Sequence, residues 1–215
     1  MANFKKLIFN KTDMLKIGIT SNIKKYYSGH IDFIDSYWIS FFEKKKIDFK
    51  IMPNSKSISE KILKEVNFLI LSGGNDILSN KNISKIRNQV EFNLLNKAIK
   101  KKIPILGICR GAQLINLFLG GKIKKLQNHM NKRHEIFFES NKIFNIKNLN
   151  VNSFHNYGVL QKNKAVSLDV LASDKKGNIE MFISKNKKII GSMWHPEREK
   201  NSYYLSKLIN YLKNK

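Results

Sequence analysis

The sequence predicts an α/β protein. Its central sheet is mostly parallel and flanked by helices, with added antiparallel strands in the C-terminal half. Three observations carry this. Strand-like and helix-like segments alternate from Lys16 to Gly121. Two glycine turns, Ser72-Gly73-Gly74-Asn75-Asp76 and Gly107-Ile108-Cys109-Arg110-Gly111, each follow a short apolar run. From Lys122 onward the texture changes to short β-like runs with turn residues between them.

Lys16-Ile17-Gly18-Ile19-Thr20 reads as the first strand. Ile31 to Phe42 reads as a helix, because Ile31, Ile34, Trp38, Phe41 and Phe42 recur close to helical period. Asp48 to Met52 reads as a strand stopped by Pro53-Asn54, and Ser57 to Lys64 as a weak helix. Phe68 to Leu71 is a buried strand delivering the first glycine turn. Ser84 to Lys102 is a long amphipathic helix with Ser84 as N-cap and Ile86, Val90, Leu94, Leu95 and Ala98 inward. Ile103 to Ile108 then runs into the second glycine turn and a helix, with Leu114, Leu117 and Phe118 on one face and Gly120-Gly121 as its stop.

The β-like runs beyond are Glu135 to Glu139, Val151 to Phe154, Ser167 to Ala172, Ile179 to Ser184 and Lys188 to Trp194. Asp174 to Asn178 is a hairpin loop. Ser202 to Leu212 is a closing helix with Tyr204, Leu205, Leu208, Ile209 and Leu212 inward. No repeat, linker or low-complexity block divides the chain, so residues 1–215 read as a single domain. In a parallel α/β sheet, ligands sit at the carboxyl ends of the strands, where both glycine turns lie.

Composition excludes several classes. No apolar run approaches the roughly 20 residues that span a bilayer. The N-terminal stretch, with only Leu7-Ile8-Phe9 apolar, reads as neither signal nor anchor. The single cysteine forms no internal disulfide and is a candidate nucleophile in a cytoplasmic chain. The formal charge of +24 comes from scattered lysines in a chain rich in Asn and Ile. With no arginine-rich arm or nucleic-acid motif, specific nucleic-acid binding is not expected, nor is a membrane partner. The positive field still attracts anionic small molecules.

The chemistry centres on Cys109. A nucleophile at the tip of a strand–turn–helix needs a reversal so tight that the positions two before and two after nearly touch. Gly107 and Gly111 supply it, having no Cβ to clash. The helix beginning there aims its N–H groups at the site, favouring a thiolate and any nearby oxyanion. Gly-x-Cys-x-Gly by itself equally suits a buried cysteine with glycines for close packing. Gly191-Ser192-Met193-Trp194-His195-Pro196-Glu197 adds a base and its orienter. Pro196 predicts an extended His195, and period two then puts His195 and Glu197 on the same side. Nucleophile, base and orienter form the logic of a triad.

Taken together and in this order, GICRGAQLIN, LSGGND, VNSFH and GSMWHPE resemble the class I glutamine amidotransferase-like superfamily. Within it they are similar to the γ-glutamyl hydrolase branch, peptidase family C26, which includes γ-glutamyl-γ-aminobutyrate hydrolase. The resemblance spans roughly Lys16 to Leu212 and implies a flavodoxin-like three-layer sandwich. It implies that Cys109 attacks a γ-glutamyl amide carbonyl, that His195 is the general base and later protonates the leaving amine, and that Glu197 orients His195. It implies an oxyanion hole from the N–H of Arg110 and one from Gly73 or Gly74. It also implies that Gln113, Ser153, Phe154 and His155 hold the glutamyl amino and carboxylate groups. No cofactor is implied.

Other residues read more plainly. His134 suits a pocket edge or a structural role. His30 and His129, in polar surroundings, read as solvent-exposed. Asp76 caps a turn. Trp38 reads as core, although Asp32, Asp35 and Trp38 resemble a segment beside the pocket in some family members. A metal site is not expected, the histidines being dispersed and the only cysteine committed.

The functional reading is therefore a cysteine hydrolase releasing glutamate and an amine from a γ-glutamyl small molecule. The leaving group stays open among polyamine-derived γ-glutamyl amides, folate polyglutamates and nucleotide-linked phosphoramidates. Asp-x-x-Asp-x-x-Trp, with Pro53-Asn54, resembles members acting on the last, and Arg133 is a candidate contact for an anionic leaving group. A glutaminase serving a separate synthetase partner stays open, as does a homodimer. A non-catalytic binding protein fits least, because Cys109, His195 and Glu197 are all present.

Overall fold

The computed structural model describes residues 14–139, 143–186, 188–200 and 202–215. The N-terminal stretch around Leu7-Ile8-Phe9 lies outside them. In chain order the elements begin β1 (Lys16–Thr20), β2 (Asn22–Tyr26), β3 (Gly29–Phe33), α1 (Ser36–Lys45), β4 (Asp48–Met52), α2 (Lys56–Leu63), β5 (Phe68–Leu71), α3 (Asn82–Lys100), β6 (Ile105–Ile108) and α4 (Arg110–Phe118). They continue as β7 (Lys124–Lys125), β8 (Met130–Phe138), β9 (Asn148–Phe154), β10 (Tyr157–Leu160), β11 (Leu168–Asp174), β12 (Asn178–Ser184), β13 (Ile189–Ser192) and α5 (Tyr203–Lys213).

The main sheet runs β4-β1-β5-β6-β13-β12-β11-β8-β9. Its first five strands are parallel to one another and the rest pair antiparallel. Numbered among themselves, the parallel strands follow the flavodoxin-like order. β5 and β6 are buried along their whole length, so they read as continuous apolar runs. Alternate side chains still sort to opposite faces. Phe68, Ile70, Leu106 and Ile108 meet α1 and α5 on one face. Leu69, Leu71 and Ile105 meet α2, α3 and α4 on the other.

Two expectations do not hold. Ile31 to Phe42 is not one helix. Gly29–Phe33 pairs antiparallel with Asn22–Tyr26 as a separate hairpin, and α1 starts only after Asp35, whose side chain accepts from the Tyr37 N–H at 3.1 Å. The apolar spacing spans the two elements because Ile31 and Ile34 belong to the hairpin and its exit. Ser84 is not an N-cap either: α3 begins earlier, behind Lys81, and Ser84 is buried in its first turn.

Candidate active site

β6 ends in a sharp turn and delivers Cys109 at φ 49°, ψ −101°, immediately before α4. Such a backbone costs energy for a residue with a side chain. The flanking glycines show why the turn closes: a Cβ on Gly107 would lie 2.7 Å from the carbonyl carbon of Gly111, and one on Gly111 would lie 2.1 Å from the Leu71 carbonyl oxygen. The Cys109 N–H donates to Ser192 O at 2.6 Å, tying the elbow to the strand that carries the histidine.

His195 Nδ1 meets Glu197 Oε1 at 2.6 Å, and both residues are buried. The route to this pairing differs from the sequence expectation. Pro196 to Arg198 form a single 3₁₀ turn that His195 caps, closed by Arg198 N–H to His195 O at 3.2 Å. Proline's fixed φ suits the first position of a helical turn, and the turn replaces the extended run through Glu197. Burial opposes charge on His195. The Glu197 carboxylate and the neighbouring Cys109 sulfur outweigh it and push the imidazole up to about 10. Gly73 abuts both partners, since a Cβ there would lie 2.6 Å from His195 Cε1 and 3.5 Å from Cys109 Cβ. Gly74 takes φ +117°, where any Cβ would strike the Asn22 side chain.

Behind this loop lies a buried ionic network absent from the sequence expectations. Arg87 on α3 donates to Ser72 O at 3.0 Å and to Gly73 O at 3.1 Å. Its Nε pairs with Glu91 at 2.9 Å, and Glu91 in turn pairs with Arg110, the residue after Cys109. Burial works against the Glu91 charge, but Arg110 and Arg87 hold its carboxyl below the usual range. Burial lowers Arg87 to about 10, with Glu91 opposing. The glycine loop and the elbow are thus fastened to one carboxylate. A signal was present: Arg87 and Glu91, an i,i+4 pair, sit within the inward stripe of Val90, Leu94 and Ala98, where charges are expensive unless paired.

Gln113, Phe154 and His155 line a cavity of about 100 Å³ over Cys109, together with Gly74 and Tyr157. Gln113 donates to Tyr157 O at 2.8 Å. The Phe154 ring stands edge-on to His195 with centroids 5.7 Å apart. Ser153 is not among the lining residues. Its hydroxyl is fully buried and donates to His129 O at 2.5 Å. Asn152, its neighbour, was not singled out from the sequence, yet it bonds the His195 main chain on both sides. Asp76 does cap a turn, accepting from Leu78 N–H at 3.0 Å. Trp38 is core and also borders a small cavity beside His195 and Glu197.

Pro53-Asn54 and the Asp-x-x-Asp-x-x-Trp segment meet as one assembly. Asp32 accepts from the Asn54 N–H at 2.8 Å and from its side chain at 2.6 Å, while Asp35 pairs with Arg198 at 2.8 Å. A larger cavity of about 430 Å³ adjoins, lined by Tyr37, Lys132, Arg133, Asn152, Phe154 and Arg198. Arg133 pairs with Glu199 at 3.2 Å. Lys132 is exposed and has no carboxylate partner among the described residues.

The histidines are less dispersed than their spacing suggests. His30 is exposed, but His129 is buried, contrary to expectation, and converges with His134 and His155 on the fully buried Glu180. Burial lowers His155 to about 3 and pushes the Glu180 carboxyl well above the usual range.

An elbow cysteine beside a histidine–carboxylate pair, on this sheet order, defines a class I glutamine amidotransferase fold. Two solved structures share it. One is a protein assigned as part of a GMP synthase from Thermoplasma acidophilum, with TM-score 0.71 at 22% identity over 94% of this chain and 93% of that one. The other is a glutamine amidotransferase from Thermotoga maritima, with TM-score 0.68 at 19% identity over 93% and 83%. The chain belongs to the Peptidase C26 family, whose match covers residues 17–197, and is a hydrolase. It is 37% identical over 166 residues, covering 75% of this chain and 78% of its relative, to the gamma-glutamyl-CDP-amidate hydrolase of Campylobacter jejuni. It is 33% identical over 158 residues, covering 71% and 76%, to a component of the glutamine-hydrolyzing GMP synthase of Methanococcus aeolicus. Among the described residues, no helix is long and apolar enough to cross a membrane.

Proposed function

We propose that this chain hydrolyses a γ-glutamyl amide through a thioester on Cys109, with a phosphorylated or nucleotide-linked amine as leaving group. The observation that carries the mechanism is the strained Cys109 elbow beside His195, whose Nδ1 is fixed by Glu197 at 2.6 Å. With Nδ1 engaged, Nε2 is the nitrogen that serves the sulfur. The thiolate attacks the amide carbonyl, and the resulting oxyanion is met by the N–H of Arg110 and one from the Gly73–Gly74 loop. His195 protonates the leaving nitrogen, and the C–N bond breaks. His195 then takes a proton from water, which attacks the thioester and releases glutamate and the free cysteine.

The cavity of about 100 Å³ over Cys109 suits the glutamyl half, with Gln113 and the Phe154–His155 segment as its wall. The adjoining cavity of about 430 Å³ suits a larger leaving group. Lys132 offers it an uncommitted positive charge, whereas Arg133 and Arg198 are each shared with a carboxylate. The name of the Campylobacter jejuni relative supports the same substrate class. A lone reactive thiol suits the reducing cytoplasm, where we place the protein. The second reading, a glutaminase supplying ammonia to a synthetase, draws on the GMP synthase relatives.

The test is kcat/KM for γ-glutamyl amides of matched size bearing a phosphate, a carboxylate, no charge or an ammonium, with free glutamine alongside, at low and at physiological salt. Preference for the phosphate, weakened by salt, is expected. Preference for the ammonium compound, or no dependence on charge, overturns the leaving-group assignment. Glutamine turnover that rises only with an added synthetase favours the second reading.

A further inference from the structure

We infer that the chain carries a zinc-type metal site, separate from Cys109, built from His129, His134, Asp174 and Glu180. The ligands come from four places in the fold: the residue before β8, β8 itself, the end of β11, and β12. Their donor atoms all lie within 4.8 Å of one another.

Glu180 is an acceptor with no donor to satisfy it among the described residues, whereas Asp174 accepts from Lys176 N–H, Asn178 N–H and Asn178 Nδ2 at 2.8 Å each. Glu180 is fully buried, and neither carboxylate oxygen has a hydrogen-bond partner among the described residues. Three imidazole nitrogens approach its Oε1: Nε2 of His129 at 3.8 Å, of His134 at 3.7 Å and of His155 at 3.7 Å. These distances are too long for hydrogen bonds. The tautomers sharpen the point. His129 Nδ1 meets the Gln127 carbonyl at 2.9 Å and His155 Nδ1 meets the Tyr157 carbonyl at 3.0 Å. A carbonyl only accepts, so both Nδ1 atoms carry the proton, and in the neutral ring Nε2 presents a lone pair. His129 Nε2 lies 3.1 Å from Asp174 Oδ2, a gap that a second ring proton fills in the metal-free protein and that a metal ion fills in its place. A cation seated among these atoms gives a partner to the bare Glu180 carboxylate and to His134 Nε2.

The geometry suits a tetrahedral ion. With zinc about 2.0–2.1 Å from nitrogen and oxygen ligands, neighbouring ligand atoms stand about 3.3–3.4 Å apart. Three of the separations, 3.1 Å and 3.7–3.8 Å, bracket that edge, and all lie within 4.8 Å, so the ligands close inward by about an ångström or less on binding. Backbone carbonyls holding Nδ1–H are the usual outer support of a metal-bound imidazole. Two imidazoles and two carboxylates favour a borderline ion such as Zn²⁺ over Ca²⁺ or Mg²⁺. A cavity of about 260 Å³ lined by Gln127, His129, His134, Glu135, Asp174 and Lys175 supplies the entry path.

The ion's work is positional. His155, beside the cluster, lines the cavity over Cys109, and Ser153 of β9 is bonded to the His129 carbonyl. An ion joining β8, β11 and β12 therefore stiffens the rear wall of the substrate cavity without touching the reacting atoms.

The test uses the full chain, purified without a polyhistidine tag, stripped with a chelator and titrated with Co²⁺ and Zn²⁺. One equivalent of Co²⁺ with the intense visible absorption of tetrahedral coordination, displaced by Zn²⁺, is expected. His134→Ala alters a partly exposed side chain and should keep the native circular dichroism while weakening Co²⁺ binding by at least about tenfold. Glu180→Gln serves as the second variant, and Cys109→Ala should bind as tightly as the parent. Sub-stoichiometric or octahedral Co²⁺, binding unchanged in His134→Ala and Glu180→Gln, or binding lost in Cys109→Ala overturns the assignment. So does an imidazolium signal from His129 in the metal-free protein that persists unchanged when Zn²⁺ is added.

Discussion

Asn152 grips His195 by its main chain on both sides: its Oδ1 accepts from His195 N–H at 2.9 Å, and its Nδ2 donates to His195 O at 2.9 Å. His195 is thereby set against β9 as well as against Glu197. Asn152→Ala should lower kcat by about 10–100-fold with a smaller change in KM, because the imidazole is displaced rather than removed. Steady-state kinetics on the preferred γ-glutamyl amide read this directly. A raised KM at constant kcat would instead make Asn152 a substrate contact.

Cys109→Ala should abolish turnover while leaving the circular dichroism and thermal midpoint near those of the parent. Iodoacetamide should inactivate the parent with a single label, since the chain has one cysteine. Activity retained in the alanine variant rejects the nucleophile.

His195 couples stability to pH with a definite sign. Its folded-state value is raised from an ordinary 6.5 to about 10. The protonated form thus stabilises the fold fully below about 6.5, and this contribution is lost as pH rises through about 10. Denaturant midpoints of the parent should therefore fall between neutral and strongly alkaline pH. In Glu197→Gln, which loses the main stabilising charge, the fall should be smaller and should end at lower pH. That variant should also keep more activity than His195→Ala, since it misaligns the base without deleting it. Equal midpoint profiles for the parent and Glu197→Gln would reject the coupling.

Arg87→Met leaves the Ser72 and Gly73 carbonyls without their donor and Glu91 with Arg110 alone. Breaking one arm of a buried ionic network costs about 3–5 kcal/mol. The urea midpoint should drop accordingly. At temperatures where the variant stays folded, kcat should fall while its pH profile keeps the parent's shape, because the glycine loop moves and the base does not. An unchanged kcat would separate the network from catalysis.

The parts legible without coordinates are those whose geometry is local. The Gly107–Cys109–Gly111 turn follows from the clash any Cβ would meet there, and the pairing of His195 with Glu197 follows from two residues separated by a single proline. Even locally there was a limit. A 3₁₀ turn and an extended segment both bring His195 and Glu197 to one side, and only the closing bond from Arg198 N–H to His195 O distinguishes them. The alternation that produced the parallel half is likewise written in short apolar runs, because each strand's burial is decided largely by its own residues.

The remainder depends on which strands and helices become neighbours. His129, His134, His155, Asp174 and Glu180 are scattered along the chain, and they meet only because β8 pairs with both β9 and β11 while β11 pairs with β12. The register breaks between β11 and β12 come at Ala172 and Ser173, just before Asp174 reaches His129. Arg87 and Glu91 could be placed on the inward stripe of α3, but what they bind was settled only when that helix packed behind the Ser72–Gly74 loop and the elbow. A one-residue shift in strand register turns side chains to the opposite face. The sequence by itself therefore determined the Gly107–Cys109–Gly111 elbow, the His195–Glu197 pairing and the fold class, through local sterics and periodicity. The tertiary structure alone decided the ionic network and the histidine cluster, because long-range register brings their atoms together.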